Sequence, residues 1–131
     1  MKIIIAGAGD VGSHLAKLLA SEAHDIYLLD ESEERLSAIS SQIDVFTIPG
    51  DAKSVEIMEQ KLISTCDLLI AVTSSEETNM LICILVKKLG AKRTIARIND
   101  VNIIKENKEH FYNELGIDTL ISPTHLATLE I

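Results

Sequence analysis

The chain has 131 residues, 47% of them hydrophobic, and carries a formal net charge of −8. That length gives one domain with a core of its own, and the acidic balance argues against a nucleic-acid or anionic-membrane partner. Cys66 and Cys83 are too few and too far apart for a zinc site or a disulfide scaffold, which suits a reducing, cytoplasmic setting.

Lys2–Ala6 is a short apolar run rich in β-branched residues, read as a strand. Gly7-Ala8-Gly9-Asp10-Val11-Gly12 follows without a gap. Val11, Leu15, Leu18 and Leu19 then repeat at helical spacing, giving a helix over Val11–Ser21. A second strand, Asp25–Asp30, ends in an acid 18 residues after Gly12. Strand, glycine turn, helix, strand and acid form the dinucleotide-binding fingerprint in its required context. Gly7 makes the tight turn, Gly9 lets the backbone approach a pyrophosphate, and Gly12 lets the helix lie close on the sheet. The helix N-terminus offers free N–H groups to phosphates, and Asp30 can accept from ribose hydroxyls. The competing role for Asp30 is a helix N-terminal acid stabilised by the dipole.

Further strands read at Val45–Pro49, Asp67–Val72, Arg93–Ile98 and Asp118–Ile121. Helices read at Ser32–Ser41, Ser54–Lys61, Glu76–Leu89 and Val101–Leu115, with another starting after Pro123. Six strands alternating with helices predict an α/β, Rossmann-type fold. Its doubly wound six-stranded parallel sheet has the order 3-2-1-4-5-6, in three layers. The chain reads as one domain over 1–131. The final apolar run, Leu126 to Ile131, is read as a frayed terminus, the start of a longer chain's next part, or a docking segment. No segment approaches the roughly 20 apolar residues that span a bilayer, so no direct membrane insertion is expected. Met1-Lys2 leads straight into the first strand, so no leader peptide is expected either.

Ligands in such sheets lie outside the carboxyl ends of the strands. Asp30-Glu31 follows the second strand, with no Arg or Lys immediately after it to receive a 2′-phosphate. NAD(H), or an adenine nucleotide such as ATP or ADP, therefore fits better than NADP. Asp51, after the third strand, could accept the adenine amino group or cap the next helix. Thr73 and Ser74, after the fourth, could reach ribose or phosphate, while N-capping is the plainer role. Arg97, at the end of the fifth, needs an anion, either a phosphate or a neighbouring carboxylate. The four His residues and both Cys stand in no recognisable catalytic set. Met80 to Val86 is apolar all round, so its outer face meets another subunit or lies under a neighbouring helix.

With those residues in place, the chain resembles the N-terminal domain of the regulators of potassium conductance, most closely the Trk-type potassium-uptake regulators. The matching stretches are MKIIIAGAGDVGSHLAKLLA, YLLDESEERL, PGDA at 49–52, the run 67–100, and LISPTHL at 120–126. The resemblance implies a cytoplasmic subunit that senses NAD(H) or ATP, partners a membrane potassium transporter and assembles into dimers or rings. It implies nucleotide contacts at Gly7, Ala8, Gly9, Asp10, Val11, Asp30, Asp51, Thr73, Ser74 and Arg97, which favours the ligand role for Asp51. Asp10 departs from the expected pattern by putting an acid in the phosphate loop, and is expected to face solvent or a neighbour. Full-length members continue into a further ligand-binding domain, so the chain is expected to be the N-terminal part of a longer subunit. The alternative reading is the cofactor domain of an NAD-dependent dehydrogenase. That enzyme needs a substrate site and an acid or base, and this sequence supplies neither, so no enzyme is expected.

Overall fold

A computed structural model of the protein describes residues 1–99 and 102–122. The strands are β1 Lys2–Ala6, β2 Asp25–Asp30, β3 Phe46–Pro49, β4 Leu68–Ala71, β5 Arg93–Arg97 and β6 Thr119–Ile121. They pair in parallel in the order β3-β2-β1-β4-β5-β6. The helices are α1 Asp10–Ala20, α2 Glu33–Ser40, α3 Val55–Met58, α4 Lys61–Ser64, α5 Glu76–Leu89, α6 Asn102–Lys105 and α7 Glu109–Glu114.

The period of two along each strand divides the core. Ile3 and Ile5 pack on one face with Leu15 and Leu19 of α1 and Leu36 and Ile39 of α2. Ile4 and Ala6 pack on the other with Met58, Ile63, and Ile82, Cys83 and Val86 of α5. Both faces are covered, so β1 and β4 are apolar throughout their interiors. Each buried Ile or Leu contributes about 1.5–3 kcal/mol. This gives the three layers and the strand order that the alternation predicts.

Two expected helices are broken. Ser54–Lys61 is α3 followed by α4, because Gln60 takes an extended backbone between them, with ψ 133°. The turn lets both Met58 and Ile63 reach full burial, which one helical period would not allow. Val101–Leu115 is α6 and α7, separated at Asn107, whose φ of 55° lies in the left-handed region that Asn tolerates. The start expected after Pro123, and the run Leu126 to Ile131, lie outside the described residues.

The apolar run of α5 also has a definite inner side. Ile82 is fully buried while Leu81 is exposed. A charge intended to part subunits therefore belongs at Leu81. At Ile82 it would enter the core. Cys66 and Cys83 are buried, and burial pushes their thiols up to about 11 and about 12. They are core residues held neutral, not thiolate nucleophiles.

Candidate functional site

The carboxyl ends of β1, β2 and β4 open onto two adjoining hollows of about 390 and 440 Å³. Asp30, Glu31, Ser32, Gly50, Asp51, Ala52 and Lys53 line the first. Gly9, Asp10, Val11, Val72 and Arg97 line the second. Gly7, Asp30, Arg35, Thr73 and Ser74 border both.

The glycine turn is built as its spacing requires. Gly7 has φ +113°, and a Cβ there would come 3.1 Å from the Thr73 nitrogen. A Cβ on Gly12 would run into the Gly7 carbonyl, so α1 can lie this close only without one. Gly12 is buried beneath the loop and does not line either hollow. A Cβ on Gly9 would meet no protein atom within 4 Å and would project into open space, the place a ligand backbone approach would use. Serines cap three other helices, Ser32 on α2, Ser54 on α3 and Ser75 on α5. Helix α1 begins at Gly9 with no side-chain cap, so its first-turn amides face the second hollow uncapped. Asp10 is exposed at that rim, where the helix dipole favours an acid.

Asp30 is held on both oxygens. Ala8 N–H donates to Oδ2 at 2.8 Å, and Ser32 N–H donates to Oδ1 at 2.8 Å. The carboxylate thus ties the end of β2 to the glycine loop, and Ser32, rather than Asp30, caps α2. The guanidinium of Arg35 stands 4.0 Å from Asp30 Oδ2. Sequence reading found no cation for a 2′-phosphate because none follows Asp30 directly. The fold supplies one from the third position of α2, since helical side chains lean toward the N-terminus and this one leans over the crevice.

Asp51 accepts from Lys53 N–H at 2.8 Å in a local turn. Capping of α3 falls to Ser54, so the capping role considered for Asp51 is not the one it takes. Thr73 is less available than its position suggests. Its hydroxyl donates to Asn79 Oδ1 at 2.6 Å and accepts from Ser75 N–H at 3.3 Å. Ser75 takes the N-cap of α5, leaving Ser74 exposed beside both hollows. The side chain of Arg97 reaches the second hollow, and its Nε is buried with no hydrogen-bond partner. Among the described residues no carboxylate comes within ion-pair distance of it. An N–H donor in that state is a place for an anion.

The arrangement therefore has a carboxylate with Arg35 beside it at one end, and Arg97 and uncapped amides at the other. Among the described residues, no group of three His, Cys, Asp or Glu is placed to hold a metal ion. Arg35, Lys53 and Asn79 were missed in the sequence. Asn79 had a signal: with Ile82, Cys83 and Val86 it forms the core-facing stripe of α5, where a polar residue is out of place.

Residues 3–123 match the TrkA-N domain. The chain belongs to the TrkA-N family. This TrkA-N domain is 40% identical to the Trk system potassium uptake protein TrkA of Haemophilus influenzae, over 100% of the chain and 29% of that protein. It is 33% identical to a Trk system potassium uptake protein TrkA homolog of Methanothermobacter thermautotrophicus, over 97% of the chain and 56% of that protein. The chain thus spans between about a quarter and just over half the length of these relatives. Its fold is shared with the TrkA-N domain of the inner membrane protein ybaL from Escherichia coli. There the TM-score is 0.77 at 20% identity, covering 98% of this chain and 96% of that one. The GsuK channel bound to NAD matches with TM-score 0.73 at 16% identity, covering 92% of this chain and 21% of that one. The AMP-bound Kef CTD of Shewanella denitrificans matches with TM-score 0.70 at 22% identity, covering 98% and 75%.

Proposed function

We propose that this TrkA-N domain is the nucleotide-sensing part of a cytoplasmic regulatory subunit of a membrane potassium uptake transporter. NAD(H), or ATP or ADP, would occupy the crevice. The observation that carries the reading is the second hollow, which is lined both by Arg97, whose buried Nε has no partner among the described residues, and by the uncapped start of α1. Both groups are suited to phosphate oxygens. The backbone of Gly7, Ala8, Gly9, Asp10 and Val11 would follow the phosphates, with Gly12 giving the close packing beneath. Asp30 would receive the ribose, since each of its oxygens keeps a lone pair beyond the amide it already accepts. Asp51 would meet the base, and Thr73 and Ser74 would border the phosphates between the two hollows. Membership of the TrkA-N family, and the NAD and AMP bound to the GsuK channel and the Kef CTD, support this reading.

A ligand here would act as a signal. Among the described residues no His or Cys lines either hollow, and control would come from different affinities for two arrangements of paired domains. The chain would form at least a homodimer and be one part of a longer subunit at the inner face of the membrane. Among the described residues no helix is long and apolar enough to cross that membrane. Titration calorimetry with NADH, ADP and ATP tests the reading. Binding of at least one, with no protein-dependent oxidation of NADH over hours in the presence of small carbonyl compounds, is expected. Absence of binding by all three overturns it, and steady oxidation revives the dehydrogenase alternative.

A further inference from the structure

Asn79 stands on the core stripe of α5 and is 0% exposed, flanked along that stripe by Ile82, Cys83 and Val86. A buried amide is costly unless every donor and acceptor finds a partner. Here each one does. Oδ1 accepts from Thr73 N–H at 2.8 Å and from the Thr73 hydroxyl at 2.6 Å. Nδ2 donates to the Thr73 carbonyl at 3.0 Å and to the Arg97 carbonyl at 3.0 Å. Oδ1 faces only donors and Nδ2 only carbonyls, so the orientation of the amide is fixed by its partners.

The placement of these bonds is informative. Ladder pairing between β4 and β5 reaches Ala71 opposite Ala96 and goes no further. Beyond that point the strand ends part to make room for the crevice. Asn79 takes over there, pairing with both backbone groups of Thr73 as a neighbouring strand would and holding Arg97 from the other side. Thr73 also packs against the Gly7 turn, so its position limits that of the glycine loop. We infer that Asn79 is a positioning residue that fixes Thr73 and Arg97 together and so shapes the phosphate side of the crevice. All its hydrogen-bonding groups are already used within the chain, so it acts through these two residues and touches no ligand. The inference rests on the nucleotide reading above and adds to it a fixed geometry for the two strand ends.

Asn79→Leu refills the volume without the hydrogen bonds, and Asn79→Ser keeps a polar group too short to span them. Neither introduces a charge, so a change in affinity cannot come from repulsion of phosphate. Calorimetry with ADP and with adenosine separates the two ends of the crevice. In either variant that circular dichroism shows folded, ADP should bind at least roughly tenfold more weakly, the size of one misaligned hydrogen bond to a charged group, while adenosine is unchanged. Val86→Ala, on the same stripe two turns away, should lower the unfolding temperature and leave both affinities alone. A role confined to core packing predicts that the refilled Leu variant binds like the wild type. That result, or parallel weakening of ADP and adenosine, overturns the inference. If the wild type binds neither ligand, the nucleotide reading falls first and this inference falls with it.

Discussion

The two ends of the sheet treat charge in opposite ways. At the amino end every named ion finds its partner within the chain. Asp67 accepts from Lys2 N–H at 2.8 Å and pairs with Lys92 at 2.9 Å. Asp118 accepts from Thr94 N–H at 2.9 Å and pairs with Lys87 at 2.7 Å. At the carboxyl end a buried guanidinium nitrogen has no partner among the described residues, and α1 starts without a side-chain cap, as the short α4 and α7 also do, while serines cap α2, α3 and α5. The first arrangement stabilises the fold by itself. The second leaves a buried donor unmet among the described residues, which is why the polar groups at one end read as structure and those at the other as a candidate site.

The sharpest way to break this contrast is Arg97→Met. It removes a buried donor that has no protein partner, so the unfolding temperature should hold or rise. ADP and NADH affinity should fall by about 1.5–3 kcal/mol, the worth of a hydrogen bond to a charged group. Loss of stability without loss of affinity would place Arg97 among the structural residues instead.

A smaller effect is expected at Arg35, and it bears on ligand choice. Asp30 alone should prefer NADH to NADPH by about tenfold, roughly 1.4 kcal/mol. With a guanidinium 4.0 Å from that carboxylate, the wild type should discriminate less than this. Arg35→Gln should restore the preference by weakening NADPH selectively. Parallel weakening of both would show that Arg35 serves the phosphates they share.

The amino end should answer differently. Lys87→Met removes the partner of a carboxylate that keeps the Thr94 amide. Both side chains are 31% exposed, so solvent screens the pair and the cost should be about 0.5–1 kcal/mol, measured by urea unfolding. Nucleotide affinity should not move. The least of the effects is a titration. The Lys2 amide first, and Lys92 second, hold the Asp67 carboxyl below the usual carboxylate range. A lowered folded value means that this stabilisation is present above the ordinary carboxylate pKa and is lost as pH falls toward the folded one. Asp67→Asn should flatten that part of the acid limb of stability and leave the crevice unaffected.

Much of the fold was legible, and particular residues show why. Lys2–Ala6, the three glycines and Asp30 lie close along the chain, and each has a local requirement that a short stretch of sequence displays. The glycine turn followed from them, and the strand order followed from the alternation of six strands with helices. The broken helices were not legible, because Gln60 and Asn107 end helices for the sake of burial or a left-handed turn that helical periodicity does not encode. Within the candidate site, the structure brings Asp51 and Thr73 to the first hollow. Their bonds were not foreseen, since a hydroxyl or carboxylate can meet several partners and spacing does not choose among them.

The sequence by itself determined which residues form the sheet, where the glycine turn lies and at which edge the crevice opens. Hydrophobic period and glycine spacing are local properties of a chain. Tertiary structure decided which polar groups at that crevice are already engaged. Arg35 reaches Asp30 across a turn, Asn79 reaches Arg97 across 18 residues while holding Thr73 six residues back, and among the described residues the Nε of Arg97 ends without a partner. Such pairings depend on how helices settle on the sheet. The packing energy that sets this is shared among many side chains, and no short segment carries it alone.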